Sequence, residues 1–355
     1  MRKAEYITVS KADPRYLQLL EGISEDGRTA LPLKSFSAKK SSNWATFRLV
    51  SEEKEPRPSR VVVILKGIRP LYLTMTLTSP FLCMAEMARS QVLPDLFLAV
   101  SILLSLAFLH FSLFLFNDYT DHIDEVDHTQ SKRKRGIIQM GWATAREVKA
   151  WAFVNFALGC IFAVPAFVHR PLFVLGMGAI VVFTFLTVWK LHAFLGKRGL
   201  NEYVVSLSLG PLLAFGFSHA VYGSFSWYSL SLCVVFGWLA SLVFQTKYLE
   251  EMVSTYQNKR ESLIARLGFD KSKRFITYQL VGLPLLAVAI DLLFSQLWAS
   301  LFVTLALLTY SYYVVKKFKN SPSPMSSNLV HISRQTALMH LGMGLVTTLI
   351  LLIPQ

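Results

Sequence analysis

Long apolar runs recur along most of this 355-residue chain, and they restrict its fold more than any other feature. Each run is about twenty residues long, which is the length of helix that crosses the hydrocarbon core of a bilayer. The runs lack the apolar–polar alternation that marks the strands of a membrane β-barrel. The predicted spans are residues 68–88, 95–116, 148–168, 171–189, 202–222, 226–244, 275–294, 296–315 and 333–353. The sequence therefore predicts an all-α fold, a polytopic helical membrane bundle with about nine transmembrane helices.

Lysine and arginine side chains are concentrated in alternate connections between these spans. The connections rich in them are 117–147, 190–201, 245–274 and 316–332. The remaining connections between spans hold only Arg89 and Arg170. Because basic loops stay in the cytoplasm, we expect a multi-pass protein of the inner or plasma membrane, with a cytoplasmic N-terminus and Gln355 outside. The formal net charge of +14 then reflects topology and contact with the lipid bilayer, so nucleic-acid binding is not needed to explain it.

The N-terminal residues 1–63 differ in composition from the rest of the chain. They are polar and mixed in charge, and they end in the charged, proline-containing linker 53–60. We expect a cytoplasmic extension that folds partly around a small apolar group, Tyr16, Leu17, Leu19 and Leu20. Residues 64–355 are predicted to form the transmembrane domain.

A dense acidic segment follows directly on the second apolar run. Residues 117–127 hold five carboxylates, and the basic run Lys132 to Arg135 comes shortly afterwards. Acidic side chains this close to a membrane repel one another, so a divalent cation or a cationic partner is expected to neutralise them. Carboxylates beside lysine and arginine suit a polyphosphate bridged by Mg²⁺. Read separately, the acids are compatible with a solvated loop, and the basic run with a membrane-surface anchor.

A second loop, which follows the sixth apolar run, has a similar order of acidic residues followed by basic residues. Its polar residues are Gln245, Lys247, Glu250, Glu251, Lys259 and Arg260. Four predicted spans separate the two loops, so both are expected on the same side of the membrane. Two such acidic sites are able to hold one diphosphate from both sides. The competing interpretation of Glu250 and Glu251 is a solvated helix surface, where Glu and Lys are common.

At this point the chain resembles the UbiA superfamily of intramembrane prenyltransferases, from about Ile64 onward. The segment 66–70 is similar to the family's Arg-Pro entry to its first helix. Asn117, Asp118 and Asp121 match the family's first acidic motif. The ubiquinone-type branch places its last Asp eight residues after the Asn, whereas the menaquinone branch places it ten residues after, where this chain has Asp127.

Further segments also resemble the menaquinone branch, 1,4-dihydroxy-2-naphthoate polyprenyltransferase. They are residues 136–141, 144–148, 199–203 and the pair Gly210–Pro211. The second acidic motif departs from the family pattern. When Leu263 to Gly268 is used as the anchor, Glu251 falls on the motif's first Asp and Thr255 takes the place of its second.

The resemblance implies Mg²⁺-dependent transfer of a polyprenyl group from a prenyl diphosphate to an aromatic acceptor such as 1,4-dihydroxy-2-naphthoate, in quinone or related lipid biosynthesis. The implied metal ligands are Asn117, Asp118, Asp121, Asp127, Glu250 and Glu251, with Asp118, Asp121 and Glu251 catalytic. The implied diphosphate-binding residues are Lys132, Arg135, Lys259 and Arg260. Glu202 and Tyr119 are expected on the acceptor side. The alternative is a UbiA-like protein that has lost catalysis and binds a lipid or a partner protein, and a transporter is disfavoured because the acids lie at the membrane boundary.

Three isolated carboxylates lie within or at the ends of predicted spans. Glu202 stands at the start of the span 202–222, where it either orients an acceptor hydroxyl or caps the helix N-terminus. Glu86 and Asp291 are predicted near the outer ends of their helices, where they reach water.

Overall fold

Most of the described chain is helical, and a small antiparallel sheet precedes the membrane helices. The computed structural model describes residues 5–24, 28–32, 43–50, 58–123, 136–171, 174–179, 199–253, 262–294 and 297–353. The chain divides into two compact units. The first unit contains Met1–Pro70 and Phe108–Leu158, and the second contains Leu71–Ala107 and Gly159–Gln355.

The N-terminal module, defined here as the described residues from Glu5 to Val50, combines three strands and one short helix. Its elements are β1 (Glu5–Ser10), α1 (Arg15–Leu20), β2 (Thr29–Pro32) and β3 (Trp44–Val50). The central strand β3 pairs antiparallel with β1 on one side and with β2 on the other.

The module has a small hydrophobic core of its own. Its buried members are Val9, Tyr16, Leu19, Leu20, Ala30 and Phe47. The prediction that the extension folds partly around Tyr16, Leu19 and Leu20 is confirmed. It is wrong for Leu17, which is 63% exposed because it lies on the outer face of α1.

A short helix, α2 (Arg60–Ile68), joins the module to the first long helix, α3 (Pro70–Arg89). The break between them falls at Arg69, which adopts a left-handed conformation with φ of 49°. The ring of Pro70 disfavours the right-handed helical conformation for the residue before it, which favours a break of the helix at Arg69. Pro70 itself suits the first position of a new helix. This helix was not predicted: residues 60–63 were expected in the linker and the extension, and residues 64–67 at the start of the transmembrane domain, before the first span.

The first unit also contains the end of α4 (Leu96–Ile123) and the beginning of α5 (Ala145–His169). Apolar side chains from α2, α4, α5 and the turn before α5 form one buried cluster. Its members are Val63, Ile68, Leu115, Ile137, Ile138, Ala143, Ala145, Val148 and Ala152. This cluster fixes the end of α4 against the chain segment that precedes α5.

The second unit is built around a long and largely buried helix, α8 (Trp227–Glu250). Its other helices, besides α3, are α6 (Asn201–Leu207), α7 (Leu213–Tyr222), α9 (Leu263–Leu267), α10 (Phe269–Phe294), α11 (Leu297–Lys319) and α12 (Ile332–Leu351). A π-helical turn, Ser208–Leu212, joins α6 to α7. This turn contains Gly210, which has non-helical backbone angles, followed by Pro211.

The π-helical turn and α8 touch backbone to backbone. A Cβ atom added to Gly237 of α8 would lie 2.2 Å from the carbonyl oxygen of Ser206, and one added to Gly210 would lie 2.4 Å from the carbonyl oxygen of Cys233. Glycine is therefore required at both positions for the helices to approach this closely. The Gly210–Pro211 segment recognised in the sequence has this packing role.

Five of the described helical segments are long and apolar enough to cross a membrane. They are α4, α5, the continuous segment Asn201–Tyr222, α8 and α10. Counting α2 and α3 together as one broken span gives six. The helical architecture is thus confirmed, whereas the predicted number of nine spans is not. Helices α11 and α12 coincide with predicted spans but are not among the five, and the predicted span 171–189 lies largely outside the described residues.

The prediction that Glu86 and Asp291 reach water is wrong. Glu86 is 4% exposed, and one of its carboxylate oxygens accepts a hydrogen bond of 3.0 Å from Arg89. Asp291 is fully buried and accepts a hydrogen bond of 3.2 Å from the Tyr228 hydroxyl. Each acid thus has a protein donor in place of water.

The close contact at Gly237 predicts a position-specific loss of stability. Gly237→Ala is expected to lower the free energy of unfolding by about 1–3 kcal/mol, since the added methyl group overpacks a backbone contact. The matched control is Gly282→Ala in α10, where the added Cβ meets nothing within 4 Å. This control should be neutral or stabilising by up to about 1 kcal/mol, the helix-propensity difference between Gly and Ala. Unfolding in detergent micelles measures the stability of both variants. Equal losses of stability in Gly237→Ala and Gly282→Ala would contradict the assigned contact.

Candidate active site

The first acidic motif occupies the last two turns of α4. Asn117 and Asp121 are four residues apart, so they lie on the same face of the helix. The amide Nδ2 of Asn117 donates a hydrogen bond of 3.0 Å to Oδ2 of Asp121. This bond holds the two side chains together and brings the amide and carboxylate groups to one place at the helix end.

Asp118 points into the protein and is paired with a cation. It is 4% exposed, and its Oδ1 accepts a hydrogen bond from the Arg69 guanidinium at 2.5 Å. The same guanidinium lies 5.6 Å from the centroid of the Phe114 ring, one turn earlier on α4. Arg69 therefore supplies the counter-charge that a buried carboxylate needs.

Arg69 was noted in the sequence only as part of the Arg-Pro entry to the first helix, and its role at the site was not predicted. Forty-nine residues separate it from Asp118, so no local pattern links the two. The available signal was its position directly before Pro70, where the helical conformation is disfavoured. The left-handed turn at Arg69 is the local structure from which its side chain reaches Asp118.

The turn 136–143 completes the surroundings of Asp118. A Cβ atom on Gly136 would lie 3.8 Å from Oδ2 of Asp118, so the chain passes close to this carboxylate. Ile137 and Ile138 anchor the turn in the buried cluster described above. A capping box then starts α5. The Thr144 amide donates to Oε2 of Glu147 at 2.7 Å, and the Glu147 amide donates to Oγ1 of Thr144 at 3.1 Å. The family-like segment 144–148 thus has a structural role.

The two acids of the second motif have different surroundings. The carboxylate of Glu250 accepts hydrogen bonds from the His331 amide at 3.0 Å, the Ser333 amide at 3.3 Å and the Ser333 hydroxyl at 2.7 Å. These donors stand at the start of α12, where a negative charge is favourable. Glu251 follows the end of α8, and its amide donates to the carbonyl of Lys247 at 2.9 Å. Glu250 is thus engaged with another helix of the second unit.

Gln245 lies inside the second unit. Its amide exchanges two hydrogen bonds with the amide of Gln279, at 3.0 and 2.8 Å, and the residue is 3% exposed. The indole of Trp238 donates to the same Gln279 at 2.6 Å. Gln245 therefore joins α8 to α10.

The two residues expected on the acceptor side have clear partners. Oε1 of Glu202, which is 1% exposed, accepts a hydrogen bond of 3.1 Å from the Leu263 amide at the start of α9. Its other oxygen, Oε2, is buried and has no hydrogen-bond partner among the described residues. The Tyr119 ring lies 5.2 Å from Nζ of Lys149. Glu202 therefore caps a neighbouring segment, whereas the sequence analysis considered a cap on its own helix.

Several predicted site residues lie outside the described part of the chain. They are Asp127, Lys132, Arg135, Lys259 and Arg260. Within the described part, no group of three His, Cys, Asp or Glu side chains is arranged to hold a metal ion. The end of α4 carries two carboxylates and one side-chain amide within five residues.

The ion pair between Arg69 and Asp118 predicts strongly non-additive effects on stability. Arg69→Met is expected to cost about 3–5 kcal/mol, because it leaves the buried carboxylate without this counter-charge. Asp118→Asn together with Arg69→Met should cost less than the sum of the two single changes, since the charge and its partner are removed together. Unfolding of the four proteins in one detergent gives the coupling energy. Additive losses would contradict the pairing.

Comparison with known proteins places this geometry in a family. A UbiA homolog from Archaeoglobus fulgidus bound to GPP and Mg²⁺ is similar in structure, with a TM-score of 0.57 and 14% identity, over 81% of this chain and 99% of that one. An apo UbiA homolog from Aeropyrum pernix K1 has a TM-score of 0.54 and 14% identity, over 80% of this chain and 98% of that one. A digeranylgeranylglyceryl phosphate synthase has a TM-score of 0.54 and 13% identity, over 83% of this chain and 99% of that one.

The solved structures show a shared fold, whereas the family is shown by a match of the sequence. No curated protein sequence matches this chain. The model of the UbiA prenyltransferase family matches residues 78–333, which is well over half of its length. The chain belongs to the UbiA prenyltransferase family.

Proposed function

We propose that this protein transfers a polyprenyl group from a prenyl diphosphate to an aromatic acceptor resembling 1,4-dihydroxy-2-naphthoate, in quinone or related lipid biosynthesis. The observation that carries the proposal is the first acidic motif at the end of α4, where Asn117 and Asp121 are joined and Asp118 is buried against Arg69. Family membership supports prenyl transfer. The Archaeoglobus fulgidus homologs bound to GPP or DMAPP with Mg²⁺ support the donor and the cation.

The residues at the end of α4 fit a magnesium ion in their chemistry. Mg²⁺ prefers oxygen ligands, and this helix end offers one amide oxygen and two carboxylates within five residues. Asn117, Asp118 and Asp121 would hold the ion, with Asp127 and the second motif as the remaining proposed ligands. When bound, Mg²⁺ supplies positive charge that stabilises the departing diphosphate.

Within the second motif, we assign the metal-facing role to Glu251. Both oxygens of Glu250 already accept hydrogen bonds from the start of α12, so a metal ion would have to displace them. Glu250 remains a sequence-based candidate, but its partners favour a structural role. Glu251 also occupies the position of the family Asp.

The side chains of the proposed site would then have separate roles in the reaction. Lys132, Arg135, Lys259 and Arg260 are proposed to bind the diphosphate oxygens as its carbon–oxygen bond breaks. Aromatic side chains such as Phe114 would stabilise the positive charge left on the allylic carbon. The acceptor ring forms the new carbon–carbon bond and loses a proton to a nearby base. Glu202 and Tyr119 are proposed to orient this acceptor.

The membrane arrangement proposed from the sequence completes the function. Nine spans, with a cytoplasmic N-terminus and Gln355 outside, would place both acidic motifs at the cytoplasmic surface, where water-soluble acceptors arrive. The proposed boundary lies between residues 63 and 64, with the catalytic part on the C-terminal side. A long prenyl chain would extend among the helices into the bilayer.

A non-catalytic role is the alternative, and one feature of the chain favours it. Thr255 stands where the family has its second Asp, so the second motif has lost a charge. In this case the protein would bind a prenyl diphosphate or another lipid without transferring the chain.

Transfer by the purified protein tests the proposal. Labelled prenyl diphosphates of several lengths are combined with Mg²⁺ or EDTA and with a panel of acceptors. The panel contains 1,4-dihydroxy-2-naphthoate, 4-hydroxybenzoate and geranylgeranylglyceryl phosphate. We expect Mg²⁺-dependent product with the naphthoate. Product with another acceptor would replace the proposed substrate, and donor binding without product would establish the alternative.

The first motif predicts a specific loss of donor binding. Asp121→Asn removes a charged ligand, so Mg²⁺-dependent binding of the labelled diphosphate should fall at least about tenfold. The matched control is Asp95→Asn at the opposite end of α4, where Asp95 accepts a hydrogen bond of 3.1 Å from the Leu98 amide. This control should keep the parent affinity. Equal affinity of Asp121→Asn and the parent would remove the metal site from the proposal.

The second motif predicts opposite phenotypes for two neighbouring residues. Glu251→Gln should lose most transfer activity, because it removes the carboxylate that is proposed to face the metal. Glu250→Gln should lower the free energy of unfolding by about 1–3 kcal/mol, because donors at the start of α12 lose a charged acceptor. Thr255→Asp should keep or raise activity by restoring the family charge. An inactive but stable Glu250→Gln, beside a fully active Glu251→Gln, would reverse the assignment.

A further inference from the structure

We propose that the N-terminal module is a built-in clamp on the first acidic motif, and that His122 is the positioning residue through which it acts. The proposal deepens the proposed function and rests on it, because its effect is on donor binding. It assigns a role to a part of the chain that the family model does not cover, since that match begins at residue 78.

The module lies outside the family match, and part of this chain has no counterpart in the solved relatives. The solved relatives are matched over 98–99% of their own length, whereas only 80–83% of this chain takes part in those matches. This chain therefore carries residues for which those proteins have no counterpart. A small domain with its own sheet and core has to be held in place by specific contacts if it acts on the motif.

His122 makes the central contact. It follows Asp121 directly and is fully buried. Its Nε2–H donates a hydrogen bond of 2.9 Å to the carbonyl oxygen of Leu20, at the end of α1 in the module. Its Nδ1 accepts a hydrogen bond of 3.3 Å from Nε2 of Gln139 in the turn before α5. Because a carbonyl oxygen only accepts, these two bonds require the proton on Nε2 and are satisfied together by one neutral tautomer.

Further contacts hold the same two segments. On the α4 side, Ile123 packs against the core of the module. On the α5 side, the Arg146 amide donates to the carbonyl of Glu21 at 3.4 Å. The next residue, Gly22, lies so close to Thr144 that an added Cβ would be 2.9 Å from its Cβ atom. The module thus contacts the chain both before and after the acidic loop.

These contacts hold the end of α4, which carries Asn117, Asp118 and Asp121. A ligand site that is ordered before its ligand arrives loses less conformational entropy on binding. The module therefore prepares the end of α4 for the donor diphosphate, without touching the donor itself.

Substitutions at His122 test the clamp, because different side chains restore different bonds. His122→Leu removes both bonds and should raise the KM for the prenyl diphosphate about tenfold, as is typical for residues that orient metal ligands, with kcat little changed. His122→Gln places an amide donor near the former Nε2 position and should recover most of the parent KM. His122→Asn places an acceptor near the former Nδ1 position, retains only the contact with Gln139, and should behave like His122→Leu.

Substitutions inside the module test the same idea away from the motif. Phe47 is fully buried in the module core, whereas Trp44 on the same strand is 61% exposed. Phe47→Ala should raise the donor KM as His122→Leu does, and Trp44→Ala should not. Amide hydrogen exchange of residues 118–123, measured in the full-length protein, should speed up in His122→Leu and Phe47→Ala only. This second readout distinguishes a loosened helix end from general unfolding, which would raise exchange in α8 as well.

The outcomes separate this proposal from the proposed function. If the parent binds the Mg²⁺–diphosphate normally and His122→Leu and Phe47→Ala bind it equally well, the clamp is overturned while the proposed function stands. If His122→Asn recovers the parent KM and His122→Gln does not, the contact with the module is not the one that positions the motif. The positioning role would then belong to the contact between His122 and Gln139. A parent protein that binds no prenyl diphosphate would overturn the proposed function and this proposal with it.

Discussion

The buried pair between Asp118 and Arg69 is the interaction on which the first unit depends. A carboxylate that is 4% exposed has to be neutralised by the protein, and Arg69 does this from the break between α2 and α3. Pro70 favours this break, because its ring disfavours the helical conformation of the residue before it. Beyond the break, α2 places Val63 and Ile68 in the apolar cluster that also holds Leu115 of α4. The backbone break at Arg69, its ion pair with Asp118 and the apolar cluster therefore all support the same arrangement of α2 and the end of α4.

Stability alone does not account for such a pair. Apolar side chains of similar volume often stabilise a protein as well as a buried ion pair does or better, because both charges lose their hydration. A carboxylate kept at this cost beside Asn117 and Asp121 fits a need for negative charge at the end of α4. Glu86 and Asp291 are also buried carboxylates, with Arg89 and Tyr228 as partners in the second unit, but neither belongs to an acidic motif in the sequence.

Features that depend on a periodic or local pattern could be predicted from the sequence, and features that depend on distant partners could not. The apolar runs predicted the helices, and the spacing of Asn117, Asp118 and Asp121 located the first motif. Hydropathy did not reveal α2, because a nine-residue helix beside a linker has no long run. The partner of Asp118 was out of reach, since forty-nine residues separate it from Arg69. The sheet was also missed, because its strands are four to seven residues long and separated by polar segments.

The difference between Glu250 and Glu251 has consequences for the first motif. Consecutive residues of a helix point about 100° apart, so two adjacent acids at a helix end cannot share one set of partners. On the proposed alignment Thr255 replaces an Asp, and Glu250 is engaged by the start of α12, so the second motif would have few negative charges to offer a cation. On the proposed function, the first motif would then contribute most of the binding energy. An element that holds the end of α4 in one geometry would matter correspondingly more, and the N-terminal module contacts this helix end through His122 and Ile123.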